Sequence, residues 1–355
     1  MNIEISDLLK ESVERGASDL HLTAGVSPTL RIDGKLIPLD YPPLTPEDTE
    51  RFAWSLAGEE RFSAFSREKE LDFSLGISQF ARFRINIYQQ RGSVALAIRA
   101  LNYAIPSMEE LRLPASTLQK LASLSRGLIL VTGPTGSGKS TTLASMIEYI
   151  NNTRSCHIIT MEDPIEYLHH HRKSIINQRE VSSDTLSFEN ALVHALREDP
   201  DVILVGEMRN LETIALALTA AETGHLVFAT LHTGNAPQSI DRIVDVFPPH
   251  QQTQVRVQLA GCVQGIISQQ LLPLINGKGR VPAVEIMIAN NAIRNLIREG
   301  KSYQIYNIMQ TSLSEGMITM DKALLDLYRD GQVSWEEAQA RSIDPREFSQ
   351  MRSRI

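Results

Sequence analysis

The chain has 355 residues, 42% of them hydrophobic and 22% charged, enough for two domains with apolar cores and unlike disordered or fibrous protein. Lysine and arginine number 35 against 42 acidic residues, a formal charge of -7, so no global basic field is available to hold nucleic acid or an anionic membrane surface. The two cysteines, Cys156 and Cys262, exclude a disulfide framework and a four-cysteine zinc site and read as reduced, buried thiols.

Residues 1–10 place Glu4 and Asp7 where a signal peptide needs an unbroken apolar core. No apolar run reaches the roughly 18 residues of a membrane-spanning helix, so a cytoplasmic location is expected, with membrane attachment made through a partner. Residues 4–14 and 46–65 predict helices. Between and after them the pattern has period two: residues 29–32 and 35–39 flank Asp33-Gly34, a pair suited to a type I′ hairpin turn. A second hairpin is expected where Ala81, Phe83, Ile85 and Ile87 alternate with polar residues and, after Arg91-Gly92, Val94, Leu96 and Ile98 resume the alternation. Residues 1–101 therefore read as a small α+β domain. A linker is expected over 102–114, from Asn102 to Pro114, where Pro106 and Pro114 interrupt the pattern.

Beyond it, short apolar runs at 127–132, 157–161, 202–205 and 226–230 alternate with helical stretches, which signals a parallel sheet covered on both faces. The helix over 211–223 ends at Gly224, a suitable C-cap. After Pro248 the chain reads as mostly helical, most clearly over 251–272, 292–299 and 319–328. Residues 115–355 thus form an α/β domain with a helical C-terminal part.

Gly133-Pro134-Thr135-Gly136-Ser137-Gly138-Lys139-Ser140 matches GxxxxGK[ST], with a strand before it and a helix from Thr141 after it. Glycines let successive N–H groups converge on phosphate oxygens, and the helix N-terminus adds its positive dipole end. Lys139 is expected to reach the β- and γ-phosphates of ATP while the Ser140 hydroxyl ligates Mg²⁺.

The apolar run 202–205 leads to Glu207, and its strand is expected to lie beside the cradle's strand, with the carboxylate at the carboxyl edge of the sheet. There Glu207 either holds Mg²⁺ through water or polarises the attacking water. Glu162, Asp163 and Glu166 end another apolar run and supply a candidate base; the alternative is a capped turn in which Asp163-Pro164 starts a helix. His225 and His232 bracket the run 226–231, which puts His232 near the same edge as a γ-phosphate sensor or an ordinary strand-end residue. His169-His170-His171, without a carboxylate at ligand spacing, reads as a solvated loop rather than a metal site. In the first domain Arg82, Arg84 and Arg99 lie on the polar face of the sheet, where guanidinium groups either meet solvent or clamp phosphate across a domain or subunit boundary.

These residues resemble the secretion ATPase superfamily, and within it the members that retract type IV pili. The resemblance runs over nearly the whole chain through Gly16-Ala17-Ser18-Asp19-Leu20-His21-Leu22, Ala81-Arg82-Phe83-Arg84-Ile85-Asn86, the cradle and Glu162-Asp163-Pro164-Ile165-Glu166. It continues through residues 196–201, Val205-Gly206-Glu207-Met208-Arg209, residues 220–225 and Ala292-Ile293-Arg294-Asn295-Leu296-Ile297-Arg298-Glu299, a stretch similar to one tied to retraction. It implies a PAS-like N-terminal domain, a RecA-like P-loop ATPase domain, and a homo-hexamer binding ATP and Mg²⁺ between domains. By position, Glu162, Asp163 and Glu166 fall in the family's Asp box, with Glu166 a candidate base. Glu207 is the Walker B glutamate, and His225 and His232 belong to the His box. Arginines of the N-terminal sheet contact nucleotide in such rings, which fits Arg82, Arg84 and Arg99. The implied partners are an inner-membrane pilus platform protein and a paralogous retraction ATPase, with the chain peripheral at that membrane.

Thr233-Gly234-Asn235-Ala236 departs from the expected His-box sequence, and the tetracysteine insert of assembly members is missing, which favours retraction. Alternatives at this level are an ATPase of a secretion or conjugation system and a non-hydrolytic, nucleotide-gated scaffold. Lys139, Ser140 and Glu207 weigh against the scaffold, and the acidic balance against a nucleic-acid translocase.

Overall fold

A computed structural model describes residues 3–32, 34–77, 81–101 and 104–352. Asp33 of the expected turn and Asn102 of the expected linker lie outside the described residues. The chain divides into two units, Met1–Ala104 with Pro164–Leu168, and Ile105–Asp163 with His169–Ile355.

In the first unit the period-two segments become one antiparallel sheet. Its elements are α1 (Ile5–Glu14), β1 (Asp19–Thr23), β2 (Thr29–Ile32), β3 (Lys35–Pro38), α2 (Pro46–Glu68), β4 (Glu70–Ile77), β5 (Ala81–Gln90) and β6 (Ser93–Leu101), with strand order β3-β2-β1-β6-β5-β4. Leu20, Leu22, Phe83, Ile85, Ile87, Leu96 and Ile98 turn inward and share a core with Phe52 and Ala53 of α2. A capping box between Thr45 and Asp48 starts α2, and Pro46 occupies its first turn, where a missing N–H costs nothing.

The second unit is a doubly wound α/β structure. It contains α3 (Ala115–Ala122), β7 (Gly127–Thr132), α4 (Lys139–Thr153), β8 (His157–Glu162), β9 (Ile175–Glu180), α5 (Phe188–Ala195), β10 (Val202–Val205), α6 (Leu211–Glu222) and β11 (Leu226–Leu231). These are followed by α7 (Ala236–Asp245), α8 (Pro249–Cys262), β12 (Val263–Pro273), β13 (Arg280–Ile288), α9 (Asn291–Arg298), α10 (Ile305–Thr311), α11 (Met320–Arg329), α12 (Trp335–Ala340) and α13 (Pro345–Arg352). Strand order is β13-β12-β7-β11-β10-β8-β9, parallel from β12 to β9, with β13 antiparallel at one edge. The central strands β7, β10 and β11 are buried along their whole length, as strands covered on both faces must be.

Two expectations are corrected. The helix expected over 251–272 stops at Cys262, and Val263 begins β12, which pairs with β7 on one side and β13 on the other. The open edge of β7 offers hydrogen bonds and burial to Val263, Ile266 and Ile267, and tertiary pairing overrides a local pattern that also suits a helix. Second, β10 does not adjoin β7, because β11 lies between them. Sequential strands need not be neighbours in a doubly wound sheet.

One buried charge ties the far side of this sheet together. Glu285 on β13 is fully buried, and its two oxygens accept the N–H groups of Ala236 at 2.8 Å and Met320 at 3.3 Å, the first residues of α7 and α11. Burial, helped by nearby Asp321, pushes its carboxyl up from 4.5 to about 7 against the pull of both N–H donors. Between those values the folded chain binds more protons than the unfolded one, so the contribution of Glu285 to stability falls as pH rises through that window. In urea titrations the unfolding free energy of the wild type should therefore drop by about 3 kcal/mol relative to Glu285→Gln between about pH 4 and pH 8. Parallel pH dependence in the two proteins would contradict the shift.

Candidate active site

Strand β7 delivers the chain to the carboxyl edge of the sheet, where Gly133 turns back with φ 141°. A Cβ at this position would stand 2.3 Å from the carbonyl oxygen of Gln269 on β12, so neither the angle nor the space admits a side chain. Gly136 and Gly138 also hold positive φ, 78° and 90°, and α4 begins at Lys139. The amide of Gln269 fixes the loop from beneath, donating to the Ser137 carbonyl at 2.6 Å and accepting from the Thr142 hydroxyl at 3.0 Å. The loop is thereby tied to β12 at both its apex and its exit into the helix. Lys139 Nζ donates to the carbonyls of Gly133 at 2.8 Å and Pro134 at 3.1 Å, which places the ammonium against the loop backbone. Ser137 is buried with its hydroxyl oxygen unpartnered, Pro134 and Thr135 are exposed, and Ser140 and Thr141 are half-buried in the first turn of α4. A cavity of about 310 Å³ opens beside Gly138, Thr141 and Thr142, lined also by Leu271, Arg280 and Pro282.

Strands β10, β11 and β8 bring the other groups to the same edge. Glu207, two residues past β10, accepts from Arg209 at 2.8 Å and lies 3.0 Å from His232 Nε2, which follows β11. Burial opposes ionisation of Glu207, but the hydrogen bond and charge of Arg209, together with His232, outweigh it and hold the carboxyl below its ordinary range. The strand ends are stitched by Thr230, whose hydroxyl donates to the Gly206 carbonyl at 2.5 Å and whose carbonyl accepts from Met208 at 3.1 Å. Glu162, the last residue of β8, accepts from the Thr160 hydroxyl at 2.6 Å and the Gln178 amide at 3.1 Å. Asp163 contributes to the field that raises the Arg209 pKa, after the larger effects of the Glu207 hydrogen bond and charge. Residues 163–174 carry no helix, so the alternative of a helix opening at Asp163-Pro164 does not hold.

Within the second unit one expected residue lies apart from the cluster. His225 stands at the amino end of β11, its Nδ1 2.9 Å from the Ala220 carbonyl, whereas His232 follows the carboxyl end. The six residues of β11 separate them by roughly 20 Å, so His225 is removed from the cradle edge. Glu166 lies in Pro164–Leu168, within the first unit. In that unit Arg84 pairs across the sheet with Arg99, and Arg82 lies two residues along β5 on the same face. Arg99 donates to Asp19 at 2.9 Å; burial resists ionisation of Asp19, but Ser18 and Arg99 hold its carboxyl below the ordinary range. His169 is not solvated as expected: its side chain is 4% exposed and its Nδ1 is 3.1 Å from Glu148 of α4, an acceptor that compensates its desolvation.

Sequence reading missed Gln269, which lay in the misassigned helix, and gave Arg209 no separate role although it stands two residues beyond Glu207. The signal for Arg209 was present, since a residue at that spacing on an extended chain shares the face of Glu207.

A glycine cradle at a helix N-terminus, facing an ionised strand-end carboxylate on the carboxyl edge of a parallel sheet, defines a P-loop ATPase. The chain belongs to the type II/IV secretion system protein family, whose model matches residues 2–340. The type IV pilus retraction ATPase PilT of Pseudomonas aeruginosa is 49% identical over 346 residues, covering 98% of this chain and 100% of that one. A twitching motility protein of Neisseria gonorrhoeae is 48% identical over 345 residues, 97% of this chain and 92% of its own. Among solved structures, the pilus retraction motor PilT with bound ADP matches at a TM-score of 0.93 and 55% identity, covering 98% of this chain and 100% of that one. Among the described residues no helix is long and apolar enough to cross a membrane.

Replacing Gln269 by leucine leaves the Ser137 carbonyl and the Thr142 hydroxyl without their buried partner. The variant should lose about 1–3 kcal/mol in denaturant unfolding and bind ADP more weakly by calorimetry. Wild-type affinity would show that the loop holds its shape without this amide.

Proposed function

We propose that the chain is a Mg²⁺-dependent motor, a ring of six copies, whose ATP hydrolysis powers retraction of type IV pili. The observation that carries this reading is the cradle beside the Glu207–His232 pair, 3.0 Å apart, in a chain that matches pilus retraction ATPases from end to end. The loop N–H groups and Lys139 bind the β- and γ-phosphates, and the cavity beside Thr141 and Thr142 accepts the base and ribose. The donor set suits a hard cation: Ser140 offers a hydroxyl in the first helical turn and Glu207 an ionised carboxylate, directly or through water. When bound, Mg²⁺ neutralises charge developing on the transferred phosphoryl group.

Glu207 and His232 orient water at the γ-phosphate side, and the carboxylate group of Glu162, Asp163 and Glu166 supplies the base. His225, at the opposite end of β11, takes no part in this chemistry. Arg82, Arg84 and Arg99 of a neighbouring copy complete the nucleotide site as arginine fingers do. Arg84 and Arg99 stand directly opposed on one sheet face with Arg82 two residues along; Asp19 already meets Arg99, and phosphate oxygens would further offset the like-charge contact. The division expected from sequence, a PAS-like domain over 1–101, a linker over 102–114 and a RecA-like domain over 115–355, lets each hydrolysis drive rotation of one domain against the other. Force passes to an inner-membrane platform protein, at which the chain is peripheral and acts with a paralogous retraction ATPase. Nucleic acid is not a partner.

Glu207→Gln should reduce ATP turnover by about 100-fold or more while ATP still binds. Turnover at the wild-type level would remove Glu207 from the chemistry. Arg84→Ala should lower turnover in the assembled protein with folding intact, and wild-type turnover should rise with the appearance of hexamer-mass particles as concentration increases. Hexamers that bind ATP without hydrolysing it would instead favour a nucleotide-gated scaffold.

A further inference from the structure

The polar row that runs under the site ends at a group with no place in the chemistry above. Thr132, the residue before the cradle, is in register with Leu231, the residue before His232, and with Ser268 of β12, to whose hydroxyl it donates at 2.8 Å. Ser268 is in turn in register with Glu285 of β13. From this row Glu285 reaches Ala236, the first residue of α7, leaving only the turn 232–235 between the end of β11 and the anchored helix. That turn is further tied by hydroxyl contact between Thr233 and Ser239 at 2.6 Å and by the Asn235 side chain accepting from Gln238 at 2.9 Å.

We propose that Glu285 is a positioning residue for ATP hydrolysis: by accepting the first N–H of α7 it sets the turn 232–235 and so holds His232 against Glu207. The inference rests on the reading of Glu207 and His232 as the groups that orient water. Asn235 and Thr319 cap α7 and α11 through the N–H of the third residue of each helix, so Glu285 serves the first N–H of each, which in α7 directly follows the turn. A carboxylate buried here also carries a desolvation cost at neutral pH that a neutral acceptor would not. A group kept at a cost to stability, one short turn from a catalytic histidine, is accounted for by the geometry it imposes.

Glu285→Gln keeps size and shape but has a single acceptor oxygen, and its NH₂ group confronts one of the two N–H donors. Turnover at saturating ATP should fall by about 10- to 100-fold, with KM and ATP affinity within about twofold of wild type. Glu285→Asp keeps both acceptor oxygens and should recover part of the loss. The other arm serves as control: Met320→Pro removes the N–H at the first position of α11, where proline is tolerated, and Thr319 at φ -80° and ψ 155° already has the conformation that precedes proline. Met320→Pro should melt earlier yet retain wild-type turnover. The proposal is overturned if Glu285→Gln turns over ATP normally, or if Met320→Pro loses turnover to the same degree. Loss in both variants would mark a general structural effect. Retained turnover in Glu207→Gln would instead sink the reading of the site itself, independently of either outcome.

Discussion

The site depends on a close approach of two backbones. At Gly133 the chain leaves β7 so near to β12 that the carbonyl of Gln269 occupies the space of a missing Cβ. This contact fixes where the loop can turn, and the side chain of the same glutamine then fixes how it closes, through the Ser137 carbonyl and the Thr142 hydroxyl. A phosphate cradle works by convergence of N–H groups, so its shape must exist before the ligand arrives. Here that shape is set by the neighbouring strand as much as by the glycines.

The order of strands then decides what faces the cradle. Because β11 lies between β7 and β10, His232 comes up beside the loop and Glu207 one strand further on, and the two meet at 3.0 Å. The hydroxyl of Thr230 closes the gap between β11 and the Gly206–Met208 turn, which keeps the carboxylate from swinging away. On the other side, β12 and β13 extend the row of Thr132 and Ser268 to Glu285, so the same sheet that presents the loop also anchors the helix after His232.

Much of this was legible in the residues, and the parts that were not share a cause. Gly133 to Ser140 declared itself because phosphate binding dictates both residue types and spacing. The strands at 202–205 and 226–231 showed as short apolar runs, since burial on both faces leaves no alternation. The end of α8 was signalled only by Gly261 and Gly265, which flank the junction at Cys262, and the apolar residues 263, 266, 267 and 271 fit one helical face as well as an interior strand. What selects the strand is the free edge of β7, more than 130 residues earlier in the chain. Strand order is likewise a property of the assembled sheet, so Glu207 was assigned to the right edge but to the wrong neighbour. His169 was misread for a related reason, because Glu148, which receives it, lies 21 residues away on α4.

The two carboxylates that matter most in the second unit show how one sheet can hold the same side chain in opposite states. Glu207 is partly exposed and flanked by Arg209 and His232, and its carboxyl is held below its ordinary range; Glu285 is sealed, faces Asp321, and is pushed up to about 7. The first arrangement favours the charge that a cation or a polarised water needs, and holds it through neutral pH. In the second the charge is strained, retained through two backbone N–H groups at helix N-termini, whose dipoles favour an anion. Removing either N–H would shift that balance toward the neutral acid, which has one oxygen fewer to accept with. The strain in Glu285 and the ease of Glu207 are thus linked through one turn of chain, residues 232–235, whose two ends answer to the two carboxylates.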